Sequence, residues 1–381
     1  MSSEVRDEKL IPQLTGLRAI AAYMVFLHNV PFLSPFIPSV IAGMITELHV
    51  GVTLFFVLSG FLIYRNYFHT FKNSRHWWSV YINNRIARIY PVYFAATLVT
   101  LIFSNISLEI EWFLNLTFLR GFSEPFKYSA VAQGWSLTPE WCFYLSAPMV
   151  FALTRRGFFW LGLFLVMLAG LGLWILGGYI NFYYLFQGTS FFFSHTYFGR
   201  CFEFFAGMYL ARLLDAQKDR PAPRGPFHTF AALGLIAATI YAMSLYQSVE
   251  YPLGVDHPIG RILNNWVLPV FYCLLFYGLI MEKTLLQRFL ASPPMILLGK
   301  TSYAFYLVHM GLFERFVDWI VPLHGSFTHY VGIFLTLNLF AIAIYFCWER
   351  PMNRFLRHLV DHRKYAADPA SEVAVTQATC P

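Results

Sequence analysis

LTGLRAIAAYMVFLHNVP, residues 14–31, decides how the rest of the chain is read. The run is apolar for long enough to cross a bilayer, yet Arg18 stands near its start and His28 near its end. Ionisable side chains inside a spanning helix are costly in hydrocarbon, so they face a cavity or the bundle interior and point to function. At 1.5 Å per residue, the ten steps from Arg18 to His28 cover roughly 15 Å. A cation near one headgroup layer and a titratable base inside the slab suit chemistry performed part-way across a membrane.

The whole chain shares this character. Its 381 residues are 57% hydrophobic and 12% charged, with a mean hydropathy of +0.53. That is far more apolar than a soluble domain and implies an integral membrane protein. A net charge of +7 raises nucleic acid as a partner, but the basic residues follow the membrane instead. The five cysteines, Cys142, Cys201, Cys273, Cys347 and Cys380, have no paired spacing. They form neither a zinc pattern nor a disulfide framework, and no metal is expected. The N-terminal stretch MSSEVRDEKLIPQ is polar and no small-residue cleavage site follows the first apolar run, which argues against a removable signal peptide.

Ten apolar segments of near-spanning length recur, at about 14–32, 48–68, 82–104, 136–154, 158–177, 197–214, 228–246, 262–281, 297–321 and 330–349. Short cytoplasmic loops are enriched in Lys and Arg. If the chain starts inside, all but Arg120, Lys127, Arg200, Arg261 and Arg315 of the 27 basic residues fall in inner stretches. The expectation is an all-α, polytopic protein of the inner (plasma) membrane, with about ten transmembrane helices and both termini cytoplasmic. Residues 1–13 form a cytoplasmic N-terminal segment, 14–358 the membrane domain, and 359–381 a cytoplasmic tail expected to be disordered. Residues 105–134 and 178–196 are outer loops. The first holds an amphipathic piece near Trp112–Leu119 suited to the membrane surface, and the second is aromatic without any Lys or Arg. AQKDRPAPRGP (216–226) is an inner Pro-rich linker.

Several embedded polar groups could carry chemistry. In GWSLTPEWCFYL (134–145), Thr138 can cap a helix, with Pro139 first and Glu140 second inside it. Glu140 then lies in the outer third that His28 reaches, where a carboxylate could orient an imidazole acting as base. Arg85 and Arg88, in YINNRIARIYPVYF (81–94), share one helical face at the inner boundary. They read either as ordinary positive-inside anchors or, with Arg18, as a bidentate phosphate site open to the cytoplasm. Pro91 loosens the same helix, which is tolerated where the freed carbonyl finds another partner. Ser59 and Gly60 sit mid-span, where small residues permit close helix approach. Arg200 and Glu203 are three apart and suggest an intrahelical ion pair that could also line an acceptor pocket. Tyr303 and His309 lie in LLGKTSYAFYLVHMGLFERF (297–316), His309 being a rival to His28. There is no nucleophile elbow, P-loop, zinc-protease helix or dinucleotide-binding glycine pattern.

These residues fall in seven collinear blocks: TGLRAIAA (15–22), GVTLFFVLSGFLI (51–63), RIARIYPVY (85–93), WSLTPEWCFYL (135–145), GRCFEFFAG (199–207), LGKTSYAFYLVH (298–309) and ERP (349–351). In that order the chain resembles membrane acyltransferase family 3, whose members O-acylate sugars of surface polysaccharides and glycolipids. The resemblance implies acyl-coenzyme A, in particular acetyl-coenzyme A, as cytoplasmic co-substrate and an acceptor reached from the outer side. It makes Arg18 and His28 the family's Arg and His pair, Arg85 and Arg88 its Arg-x-x-Arg motif, and Glu140 its fourth-span acid. The family pair usually has ten intervening residues; here there are nine, and Asn29 takes the usual place of the His. Either a local bulge restores the facing of His28, or the base is displaced, or this copy is impaired.

The expected function is an O-acyltransferase, an enzyme transferring groups other than amino-acyl groups. His28 and Glu140 would be catalytic, Arg18, Arg85 and Arg88 would bind the coenzyme, and Ser59, Trp135, Arg200, Glu203, Tyr303 and His309 would line the pocket. Direct attack and an acyl-histidine intermediate both remain open. Membrane lipid, acyl-coenzyme A and a saccharide or glycolipid are the expected partners; nucleic acid is not, and a homo-oligomer stays open. The alternative is a transporter of an acyl-bearing or lipid-linked molecule, which would explain the embedded ionisable groups but not a phosphate-shaped arginine pair.

Overall fold

The computed structural model describes residues 11–30, 37–104, 109–180, 183–217, 225–321 and 327–367. The core of the linker at 216–226, the N-terminal segment before Ile11 and the tail beyond Ala367 lie outside these residues. Within them the architecture is all-helical, apart from one isolated bridge between Ser123 and Leu185. Each of the ten expected stretches holds a helix. The main elements are α1 (Pro12–His28), α2 (Gly51–Tyr67), α3 (Arg75–Phe103), α4 (Leu137–Arg155), α5 (Phe159–Tyr179), α6 (Tyr197–Ala216), α7 (Phe227–Ser244), α8 (Leu268–Met281), α9 (Pro293–Val308), α10 (Phe327–Ile344) and α11 (Arg350–Ala367).

Six helical stretches are long and apolar enough to cross a membrane: Ser39–Tyr67, Arg75–Phe103, Phe159–Tyr179, Phe227–Ser244, Pro258–Met281 and Thr328–Leu359. The remaining four, α1, α4, α6 and α9, are either shorter or carry ionisable residues such as Arg18, Glu140, Arg200 and Glu203. They are also central: α1 packs along α9, and α6 lies between α2, α5 and α4. By contrast α5, uniformly apolar, leaves most of its surface outward. Polar groups thus occupy the middle of the bundle and hydrocarbon side chains its perimeter, the distribution that a bilayer imposes.

Helices α2 and α6 pack backbone against backbone. A Cβ on Gly60 would stand 2.0 Å from the Phe204 carbonyl oxygen, and one on Gly207 would stand 2.0 Å from that of Val57. Only glycine allows the two backbones to meet there.

Pro91 interrupts α3 and leaves the Ala87 carbonyl without its helical donor. The Asn353 amide from α11 donates to that carbonyl at 3.1 Å, and the Trp348 indole donates to the Pro91 carbonyl at 3.0 Å. The weakened helix that carries Arg85 and Arg88 is therefore held by the end of the chain.

The loop 109–134 is fastened by a buried arginine. Arg120 donates to Asn115 at 2.8 Å and to the Ser129 and Val131 carbonyls, beneath the short helix Glu109–Leu116. α11 begins at Arg350 and continues to Ala367, so the stretch 359–367 is helical.

Candidate active site

A cleft opens between α1, α2, α3, α4 and α9, with about 730 Å³ of empty space when its part open to solvent is included. Its walls carry Arg18 from α1, Ser59 from α2, Arg85 and Arg88 from α3, Glu140 and Tyr144 from α4, and Tyr303 and Tyr306 from α9. The three expected coenzyme-binding arginines therefore meet in one place.

The i, i+3 spacing of Arg85 and Arg88 turns both side chains to the cavity. Arg85 is buried; it donates to the Tyr67 hydroxyl at 2.6 Å and lies over the rings of Tyr67 and Tyr144. Among the described residues, Arg18 and Arg88 make no hydrogen bond or ion pair, and the Arg18 Nε is enclosed without an acceptor. Their nearest compensating charges are carboxylates of other helices: Glu140 acts on Arg18, and Glu349 on both Arg88 and Arg18. Glu349 is 4% exposed and ends a π-turn, Tyr345–Glu349, of the kind found where a helix is adapted to a site.

Glu140 stands half-way along the cavity. It accepts from the Ser59 hydroxyl at 3.0 Å and from the Tyr144 hydroxyl, one turn on in its own helix. Its position in the first turn of α4 agrees with expectation, but the cap differs. The helix starts at Leu137, with Ser136 before it, because Thr138 is buried and spends its hydroxyl on the Phe118 carbonyl. Higher up, Tyr306 and Ser136 exchange a 2.9 Å hydrogen bond, while Tyr303 donates to the Ile89 carbonyl at 2.7 Å.

His28 does not reach Glu140. α1 is a regular α-helix through His28, with no bulge. Ten steps of 100° leave His28 about 80° away from the Arg18 direction, whereas eleven steps would bring Asn29 to within about 20° of it. His28 consequently faces the neighbouring turn, where its Nδ1 lies 2.6 Å from the Thr46 carbonyl and its ring meets the His49 ring edge-on at 5.4 Å. Asn29 caps α1, donating to the Val25 carbonyl at 2.8 Å. The expected pairing of His28 with Glu140 is replaced by two separate constellations.

Of the other expected pocket residues, Ser59 and Tyr303 line the cavity, and Trp135, Arg200, Glu203 and His309 do not. Arg200 and Glu203 do form the predicted ion pair, at 2.9 Å. Arg200 also donates to Thr53, which donates to Asn264 on a second π-turn, Leu263–Val267, and its guanidinium lies over Phe56 and Trp135. Trp135 packs in turn against His195. His195, in the outer helix Thr189–His195, is pushed down to about 3 by burial and by the Lys127 charge, which keeps its imidazole neutral. His309 is enclosed at the end of α9 against Phe26 and Phe305, its Nδ1 2.8 Å from the Tyr306 carbonyl.

Tyr144, Tyr306 and Ser136 were not singled out from the sequence. Helical spacing contained the signal: Tyr144 is i+4 from Glu140, and Tyr306 is i+3 from Tyr303.

Fold and cavity together define an all-helical membrane protein with an arginine-lined chamber among its central helices. The family model described as acyltransferase domain, that of acyltransferase family 3, matches residues 11–348, and the chain belongs to this family. It is also similar to acyltransferase MdmB of Streptomyces mycarofaciens, with 27% identity over 169 residues. That match covers 38% of this chain and spans 40% of the relative's length. No solved structure matches.

Proposed function

We propose that the protein is an integral-membrane O-acyltransferase that moves an acyl group, taken here as acetyl, from cytoplasmic acyl-coenzyme A to a sugar hydroxyl of an exopolysaccharide, O-antigen or glycolipid. In this reading the chain crosses the inner membrane about ten times with both ends in the cytoplasm. The observation that carries it is the convergence of Arg18, Arg85 and Arg88 on one cavity, two of them without a hydrogen-bonding partner among the described residues. Guanidiniums so placed match the phosphates of a coenzyme, which accept planar paired donors.

The coenzyme phosphates then rest on the arginines at the inner end. The pantetheine arm runs outward past the collar of Ser59, Glu140 and Tyr144, whose polar atoms suit its amides. The acceptor hydroxyl attacks the thioester carbonyl carbon, the carbon–sulfur bond breaks, and the coenzyme leaves as the thiol. The hydroxyl proton passes to an imidazole at the outer end, where His28, His49 and His309 stand.

The test is thiol release from acetyl-coenzyme A by the purified protein in nanodiscs, with methyl β-glucoside as acceptor and mass spectrometry of the product. Saturable release with appearance of the acetylated glucoside supports the reading. Binding of the coenzyme without release above background contradicts it and returns the arginine chamber to a carrier role.

A further inference from the structure

On the acyltransferase reading above, we infer that the base which takes the acceptor proton is His49, held by the buried carboxylate of Glu47, rather than His28.

Glu47 is fully enclosed. Its Oε2 lies 3.1 Å from the His49 Nε2, and its Oε1 accepts from the Gly254 backbone N–H at 2.6 Å and from the Gln247 side chain. A buried carboxylate fixed by three donors has one orientation, and the imidazole bound to it inherits that orientation. Such a carboxylate sets the tautomer, because the nitrogen facing it carries the hydrogen and leaves the other as a lone-pair acceptor. The acceptor is therefore the His49 Nδ1, which makes no hydrogen bond among the described residues. The same carboxylate stabilises the imidazolium that forms once the proton is taken.

Position agrees with this role. The wall that α2 contributes to the cavity is Val52, Phe55, Phe56, Leu58, Ser59, Leu62 and Ile63, all from one side of the helix apart from Leu58. Three residues before Val52 stands His49, in the turn Glu47–Val50 that leads into α2, just beyond the residues that line the cavity. From Ser59, where Glu140 is bonded, His49 lies roughly 15 Å farther out by helix rise. It retains 17% exposure of its side chain, whereas His309 is enclosed. His28 is turned off the Arg18 face and, among the described residues, has a single hydrogen-bonding partner, the Thr46 carbonyl. Its ring packs on His49 and serves to position it.

The proton balance is simple. The hydroxyl oxygen bonds to the acyl carbon, its proton goes to the His49 Nδ1, and the departing thiolate of the coenzyme recovers a proton, leaving ester and free thiol.

Three variants of the full chain in nanodiscs decide the matter, with acetyl-coenzyme A and methyl β-glucoside. His49→Gln keeps a donor for Glu47 but removes the base; turnover should fall by about 10²–10⁴-fold, the range of a general base, with KM for acetyl-coenzyme A within twofold and the melting temperature unchanged. Glu47→Gln should lower kcat at constant KM by about tenfold, and Glu47→Asp should recover part of the loss. His28→Gln should lose at least tenfold less than His49→Gln. Loss confined to His28→Gln, equal loss in both histidine variants, or a rise in KM in place of a fall in kcat overturns the assignment. A wild-type protein that binds acetyl-coenzyme A but releases no thiol overturns the function itself, a result distinct from wild-type turnover that survives His49→Gln.

Discussion

Gly60 on α2 and Phe204 on α6 meet backbone to backbone, leaving no room for a side chain between them. Gly207 repeats the contact against Val57 one turn away along the same crossing. Gly60→Ala should force the helices apart and destabilise the fold by about 1–3 kcal/mol, the usual effect of overpacking. Gly207→Ala should do the same. One displacement relieves both clashes, so the double variant should lose less than the sum of the singles. Thermal scanning of detergent-solubilised protein measures all three.

On the proposed acyltransferase reading, Arg88 is the cleanest probe of coenzyme binding, since Arg85 is also tied to Tyr67. Removing a charge-assisted bond to phosphate costs about 1.5–3 kcal/mol, or roughly 10- to 150-fold in affinity. Arg88→Ala should raise the dissociation constant for acetyl-coenzyme A by that factor, with little change for dephosphorylated pantetheine thioesters. Isothermal titration with the two ligands separates a phosphate contact from a general loss of folding.

Arg200 and Glu203 form a pair that is nearly inaccessible to solvent. Glu203→Ala leaves the guanidinium buried without its counter-charge and should cost about 3–5 kcal/mol. The double change Arg200→Met with Glu203→Leu should recover much of the lost folded yield, because it removes both charges and keeps the volume. Size-exclusion profiles of the three variants provide the measure.

Glu282, just beyond α8, receives the backbone N–H groups of His228 and Thr229 and the Thr229 hydroxyl at the start of α7. Burial opposes its charge, but these hydrogen bonds outweigh that and hold the carboxyl below its ordinary value. A depressed carboxyl contributes stability above its unfolded pKa of about 4.3 and loses it as pH falls through the folded value. The wild-type melting temperature should therefore drop more steeply than that of Glu282→Gln as the pH is lowered below about 4.5. The variant should be the less stable at pH 7, and the two should converge in acid.

Hydropathy and breakers placed a helix in each of the ten expected stretches because the bilayer demands length and apolarity, both local properties of sequence, but they missed the short helices Ser39–Thr46, Thr189–His195 and Leu285–Leu290 and the helical run to Ala367. The meeting of Arg18, Arg85 and Arg88 was legible for the same reason, since polar groups in apolar helices turn inward together, whereas Glu140 was expected beside His28 and stands instead on the arginine cavity with Ser59. The facing of His28 was not legible. It depends on azimuth, and one residue fewer between it and Arg18 rotates a side chain by about 100°. Long-range partners were equally hidden: Arg200 and Glu203 announce each other by spacing, but nothing near them in sequence announces Thr53 or Asn264. The carboxylate beside His49 lies only two residues away, yet a 3₁₀ turn rather than an α-turn is what folds one side chain onto the other.

The proline in α3 sets a schedule for biogenesis. Pro91 and the Ala87 carbonyl that it frees are satisfied by Trp348 and Asn353, 257 and 266 residues later in the chain. At 5–20 residues per second, a ribosome takes on the order of 10–50 s to reach them. Throughout that interval the arginine-bearing helix sits in the membrane with an open carbonyl. The helix that carries Arg85 and Arg88 therefore completes its hydrogen bonding only when Trp348 and Asn353 arrive, which makes the walls of the cavity one of the last parts of the fold to settle.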